Sequence, residues 1–167
     1  MTVQVEYERR FLCPALPSGA VPMEHHEQSY LVAGRKLELR VRTIERYDTG
    51  KRSSTVALKW GLSEGRRLEV EFVAGTAIAR LLHRCSGATL HKTRHHLFER
   101  SLLWEIDLYH GSLEGLLTVE LELEYELDLV LPGWLGSEVT GDDHYANRVL
   151  ASRSDAGRGT RSHGRGR

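Results

Sequence analysis

Acidic or basic residues recur at every second position in one short segment after another, and this recurrence restricts the fold more than any other feature of the chain. Successive side chains of a strand point to opposite faces, so a period of two sorts each segment into two sides. In Val5–Leu12, VEYERRFL, Glu6, Glu8 and Arg10 share one face while Val5, Tyr7, Arg9 and Phe11 share the other. Arg35–Ile44, RKLELRVRTI, sets Glu38, Arg40 and Arg42 against Leu37, Leu39 and Val41. Thr55–Trp60 carries Lys59, and Arg66–Val73 sets Arg67, Glu69 and Glu71 against Leu68, Val70 and Phe72. Leu90–Glu99 places Lys92 with Arg94, and Leu102–Tyr109 places Glu105 with Asp107. The most regular run, LLTVELELEYEL at Leu116–Leu127, turns Glu120, Glu122, Glu124 and Glu126 the same way.

The segments between these runs predict little else. Ser29–Val32 starts another strand that turns at Ala33-Gly34. Cys13–Gln28 holds Pro14, Pro17, Pro22 and a His pair and reads as a loop with room for one short helical turn. Glu45–Ser54 reads as a polar loop around Gly50, and Pro132–Gly136 breaks the pattern again. Gly75–Cys85 has Ile78, Leu81 and Leu82 at helical spacing, with Thr76 as its N-cap and Gly87 past its end. Asp142–Leu150 predicts a second short helix capped by Asp142. Many short strands with a few helices give an α+β class that is mainly β. The sheet is antiparallel, because the connections are too short for repeated crossovers.

A chain of 167 residues is long enough for one domain with its own core. The net charge of zero conceals two unlike parts. The tail, residues 152–167, holds five Arg and one Asp, which leaves 18 basic and 22 acidic residues in 1–151 from totals of 23 each. We assign 1–151 to the domain and 152–167 to a disordered Arg/Gly/Ser-rich tail, a solvated spacer rather than a specific nucleic-acid binder. Cys13 and Cys85 lack CxxC spacing, and neither a secretory segment nor a membrane-length apolar run occurs. The expectation is a soluble cytoplasmic protein with no membrane partner. Apolar outer faces larger than two short helices can cover point to a homodimer.

Two readings compete for the charged faces. In one, they form the solvated side of a sheet, where cross-strand acid–base pairs contribute a few tenths of a kcal/mol each. In the other, the sheet curls and these faces line an interior. Carboxylates at alternate positions lie roughly 7 Å apart, so they repel unless a cation or water intervenes. A charged interior is tolerable only when filled by a polyanion and its metal ions. Ordinary outer faces mix Ser, Thr, Gln and Lys, whereas here six of the seven segments pair like charges at spacing two, which favours the interior.

These segments also resemble the CYTH family, the triphosphate tunnel metalloenzymes. VEYERRFL is similar to the ExExK signature at the start of that family. LRVR, ALKWG, RLEVEF, HKTRHHL, WEIDLYHG, VELELE and EVTGDDHYANRVLA follow in the order of its later landmarks, covering Val3–Ala151. The resemblance implies an eight-stranded antiparallel β-barrel tunnel with flanking helices and charges projecting inward. It departs at one position, where Arg10 stands in place of the family lysine. Arg keeps the charge and can grip phosphate with two N–H groups, but it cannot give up its proton.

On that resemblance the activity is metal-dependent hydrolysis of a triphosphate, with the short bacterial inorganic triphosphatases the best match. The same fold supports class IV adenylate cyclase, and a noncatalytic triphosphate-binding module is a third possibility. Arg10, Arg40, Arg42, Lys59, Lys92 and Arg94 suit phosphate oxygens through charge-assisted hydrogen bonds. Glu6, Glu8, Glu120 and Glu122 suit Mg²⁺ or Mn²⁺, which take carboxylate oxygens. Asp107 joins them as a further metal candidate, and with Glu69 and Glu71 it suits a second ion or the positioning of the attacking water; Arg10 completes the expected catalytic set. The histidines lack zinc spacing, and His91, His95 and His96 read as neighbours of the basic strand.

Overall fold

A computed structural model of the chain describes residues 7–34, 36–63, 66–123 and 129–156. Eight strands, β1 (Tyr7–Leu12), β2 (Val21–Ala33), β3 (Leu37–Arg46), β4 (Arg52–Ser63), β5 (Arg66–Val73), β6 (Ala88–Glu99), β7 (Leu102–Tyr109) and β8 (Leu117–Leu123), form one sheet. Their order is β1–β8–β7–β6–β2–β3–β4–β5, and every neighbouring pair is antiparallel. The alternation of charge and apolar residues fixes this register, since a slip of one residue would exchange the two faces.

The sheet curls without closing. Among the described residues no backbone pairing joins the edge strands β1 and β5, so the expected barrel is an open, curved sheet. Its curvature shows in inner-face side chains that reach past a neighbouring strand: Arg94 on β6 donates to Glu120 on β8, and Arg40 on β3 donates to Glu69 on β5.

Several elements differ from expectation. β2 begins at Val21, inside the stretch read as a loop. It lies between β3 and β6 and is hydrogen-bonded to both, and this pairing overrides its mixed composition. Pro22 is tolerated because the register shifts between Pro22 and Glu24. The polar loop shrinks to residues 47–51, with Gly50 at φ 63° closing the turn. Helix α1 (Thr76–Cys85) has Gly75, not Thr76, at its cap position and no side-chain cap bond. Asp142 caps a 3₁₀ turn, Asp143–Tyr145, by accepting from the His144 amide at 2.9 Å. Helix α2 (Asn147–Ala156) follows and runs past Ala151, so Ser152–Ala156 is helical. Glu6, Glu124, Glu126 and the tail from 157 lie outside the described residues.

The packing divides by face. Phe11, Trp104, Ile106, Val119 and Leu121 form the outer core of β1, β7 and β8, covered by Leu129, Trp134 and Leu135. Elsewhere on the outer face α1 packs on β2, β3 and β4, with His83 hydrogen-bonded to Ser29 and Thr43. At one end of the inner face, Tyr30, Leu90 and Tyr109 meet Leu150 and Ala151 of α2, and the Tyr109 hydroxyl donates to Asn147 Oδ1 at 2.6 Å. α2 therefore plugs that end. No helix among the described residues is long and apolar enough to cross a membrane.

Candidate active site

The inner face gathers the charged set that the period-two pattern picked out. Register places Arg10 opposite Glu120, Arg94 opposite Asp107, Glu105 opposite Glu120, and Lys59 opposite Glu69. Neighbouring strands lie about 4.8 Å apart, so these pairs meet across the ladder.

Arg94 organises the β1–β8–β7–β6 side. Its Nε and Nη2 donate at 2.8 Å each to the two oxygens of Asp107, Nη1 donates to Glu105, and Nη2 also donates to Glu120. Lys92 donates to the same Asp107. Asp107 is fully buried, and although burial pushes its carboxyl up, Arg94 and Lys92 hold it far below the usual range. Burial lowers Lys92, and Asp107 only partly restores it. Arg10 Nη2 bridges Glu8 and Glu120 at 2.7 Å each, while its Nη1 donates to the Tyr145 carbonyl at 2.8 Å. Burial lowers Arg10, but Glu120 and Glu8 outweigh it and raise the group.

The β3–β4–β5 side is wetter. Arg40 donates to Glu69 at 3.1 Å, Lys59 lies 2.9 Å from Glu69, and Arg42 reaches Glu71 at 3.4 Å. Burial raises Glu69, yet Lys59 and Arg40 bring it below its ordinary value. Arg42 is lowered by burial and by Arg40 beside it.

The carboxylates do not satisfy this lumen. Arg10, Arg40 and Arg42 each keep a buried Nε–H with no acceptor. Buried donors are nearly always paired, so three orphans on cationic groups mark a place built for an anion with many oxygens.

The predicted residues thus come together, with two adjustments. Asp107 is an anchor for Lys92 and Arg94, because both of its oxygens are committed to them. Glu69 and Glu71 likewise hold cations in position. For a divalent metal, Glu8 and Glu122 face each other directly across β1 and β8, with Glu120 next along the strand. Their all-oxygen chemistry fits Mg²⁺ or Mn²⁺. One or two carboxylates suffice for Mg²⁺ when phosphate oxygens and water complete the shell. Among the described residues no three His, Cys, Asp or Glu side chains already lie together as a metal site. Glu6, the fourth expected ligand, lies outside the described residues.

His26 on β2 was missed. The loop reading of Cys13–Gln28 hid it, yet it is 1% exposed on the inner face, opposite Lys92. The period-two spacing of Glu24, His26, Gln28 and Tyr30 was the signal that could have found it.

Comparison with known proteins follows the same line. The chain is 34% identical over 130 residues to the inorganic triphosphatase of Acetivibrio thermocellus, covering 75% of this chain and 78% of the relative. It is 30% identical over 151 residues to the inorganic triphosphatase of Nitrosomonas europaea, covering 87% and 96%. The crystal structure of an inorganic triphosphatase superposes with a TM-score of 0.66 at 28% identity, covering 89% of this chain and 95% of that one. A conserved hypothetical protein from Pyrococcus furiosus shares the fold alone, with a TM-score of 0.50 at 19% identity over 73% of this chain and 80% of that one. No family model matches the chain.

Proposed function

The chain belongs to the CYTH-type inorganic triphosphatases, and from that premise we propose that its lumen hydrolyses inorganic triphosphate to diphosphate and phosphate. The observation that carries the reading is the trio of buried, unpaired Nε–H groups on Arg10, Arg40 and Arg42. With Lys59, Lys92 and Arg94 they form two banks of cations on one curved face, complementary to a short chain of phosphates. Phosphoryl transfer asks mostly for positioning and charge neutralisation, and these side chains supply both. Asp107, Glu69 and Glu71 keep the cations oriented. Glu8, Glu120 and Glu122, with Glu6, would hold Mg²⁺ or Mn²⁺, which when bound would offset phosphate charge in the transition state. Class IV adenylate cyclase and a noncatalytic binding module are not favoured, since both curated relatives are named for triphosphate hydrolysis.

A cytoplasmic setting and a homodimer belong to the same proposal. Trp60, Phe72, Ile78 and Leu81 are more than half exposed around β4, β5 and α1, and a second copy would cover them. Sedimentation checks this, and a monomer at micromolar concentration would remove the dimer.

The functional test is release of phosphate from triphosphate, ATP and thiamine triphosphate with Mg²⁺, with Mn²⁺ and with EDTA, together with an assay for cyclic AMP. Metal-dependent turnover of triphosphate above the others is expected. Cyclic AMP from ATP, or binding without product, would overturn the reading.

A further inference from the structure

His26 lies in the same lumen without a task in the scheme above. It stands on β2 between Lys92 of β6 and Ile44 of β3, so it separates the bank of Lys92 and Arg94 from that of Arg40 and Arg42. Its Nε2 is 2.8 Å from Glu24 Oε2. A carboxylate only accepts, so Nε2 carries the hydrogen and, in a neutral ring, the lone pair sits on Nδ1. The ring is neutral: burial, then Lys92 and Arg94, push it down to about 2 against the pull of Asp107. Arg42 adds to the same push. The contact with Glu24 is therefore a hydrogen bond from a neutral imidazole rather than an ion pair. Nδ1 is buried and unpartnered.

The neighbouring groups are donors or committed acceptors. Lys92, Arg94 and Arg42 donate, and the Asp107 oxygens are taken. A neutral acceptor held among cations is suited to an O–H that must stand beside a polyanion without being repelled by it.

We propose that His26, oriented by Glu24, positions the water that attacks the terminal phosphorus of triphosphate, with Nδ1 accepting its hydrogen bond. The inference rests on the triphosphatase reading. In the step, the water oxygen bonds to the terminal phosphorus and the bond from that phosphorus to its bridging oxygen breaks. Diphosphate leaves with the electron pair. One water hydrogen stays on the new phosphate as its hydroxyl, and the other passes as a proton to a product phosphate oxygen. His26 finishes neutral. A loose transition state needs little base strength, so a fixed acceptor suffices.

Two substitutions separate the ring's roles. His26→Gln keeps a donor near the Nε2 position and loses the acceptor at Nδ1, while His26→Asn does the reverse. His26→Gln is expected to lower kcat on triphosphate about 100-fold, the lower end of the range for side chains that act on the attacking group. Its KM should stay within about threefold, and His26→Asn should retain more kcat. Nitrogen NMR of the wild type should show the Nε2–H tautomer from pH 5 to 8. Where His26→Gln does not fold, Glu24→Gln carries the same test, because it keeps the imidazole but loosens its orientation; kcat should fall with KM unchanged. An unchanged kcat, a loss confined to KM, or an Nδ1–H tautomer overturns the proposal. A wild type that releases no phosphate removes the functional reading and this inference together, whereas an active wild type with an unaffected variant removes this inference alone.

Discussion

Arg94 holds Asp107 in a two-pronged grip, Nε on one carboxylate oxygen and Nη2 on the other, both at 2.8 Å. Asp107 has no solvent exposure and Lys92 shares it. Removing one partner of a buried pair leaves the others uncompensated, at about 3–5 kcal/mol. Asp107→Asn should therefore lower unfolding free energy by about that much in urea titrations. Because triphosphate supplies replacement oxygens, adding it should restore part of the loss. An unchanged midpoint would show that the carboxylate is not the anchor.

Acid should weaken the fold before its carboxylates titrate. The folded-state value of His26 is lowered from 6.5 to about 2, so between those limits the unfolded chain binds a proton that the folded chain refuses. Stability then rises with pH across that window and falls as pH drops below 6.5, by about 1.4 kcal/mol per unit from this group. Denaturation midpoints between pH 4.5 and 7.5 should be flatter in His26→Gln than in the wild type. His25 and His83, also lowered, by burial first, leave a residual slope in both.

Arg42 tests substrate binding with least risk to the fold. It stands beside Arg40, and its bond to Glu71 is long at 3.4 Å. Arg42→Gln should raise KM for triphosphate by roughly 10- to 100-fold, matching a hydrogen bond to a charged group worth about 1.5–3 kcal/mol. Its thermal midpoint should barely move. A fall in kcat at constant KM would place Arg42 in the chemistry instead.

Arg10→Lys restores the residue that the family carries at this position. An ammonium can bridge Glu8 and Glu120 as Arg10 does, so triphosphate turnover should survive within about tenfold. The bond to the Tyr145 carbonyl is the part at risk, at about 1 kcal/mol of stability. Loss of all turnover would show that the two-pronged geometry, not the charge, is required.

The β6–β7 hairpin carries strain unrelated to the lumen. Glu99 pairs with Leu102, leaving Arg100 and Ser101 as its two turn residues at φ 55° and 60°. Such turns favour Asn-Gly, because a side chain in the left-handed region costs about 1–2 kcal/mol. Ser101→Gly should raise the thermal midpoint with kcat unchanged; a lowered midpoint would deny the strain.

What could be read from the residues alone followed the physics of alternation. Glu8 with Arg10, Arg40 with Arg42 and Lys92 with Arg94 share a face because a strand has a period of two, and no tertiary knowledge is needed to see it. Burial of Arg40, Lys92, Arg94, Asp107 and Glu120 was legible too, since like charges at spacing two are a poor choice for a solvated surface, whereas Glu8, Glu71 and Glu122 on the same face stay exposed. β2 escaped because prolines and paired histidines resemble a loop until β3 and β6 supply hydrogen bonds on both sides. Asp107 reads as a metal candidate from its type alone, whereas its bonds to Lys92 and Arg94 on the neighbouring strand appear only in the fold. The neutrality of His26 depends on its burial and then on Lys92 and Arg94, which lie more than sixty positions away in the chain.

The outer core of Phe11, Trp104, Ile106, Val119 and Leu121 lies on the opposite side of the sheet from the lumen charges. Each strand thus divides its alternate positions between two selective pressures, one for cohesion and one for recognition. A change at Arg42 or Lys59 leaves the jigsaw behind it intact, so the lumen can diversify toward longer or differently substituted phosphates while the scaffold stays as it is.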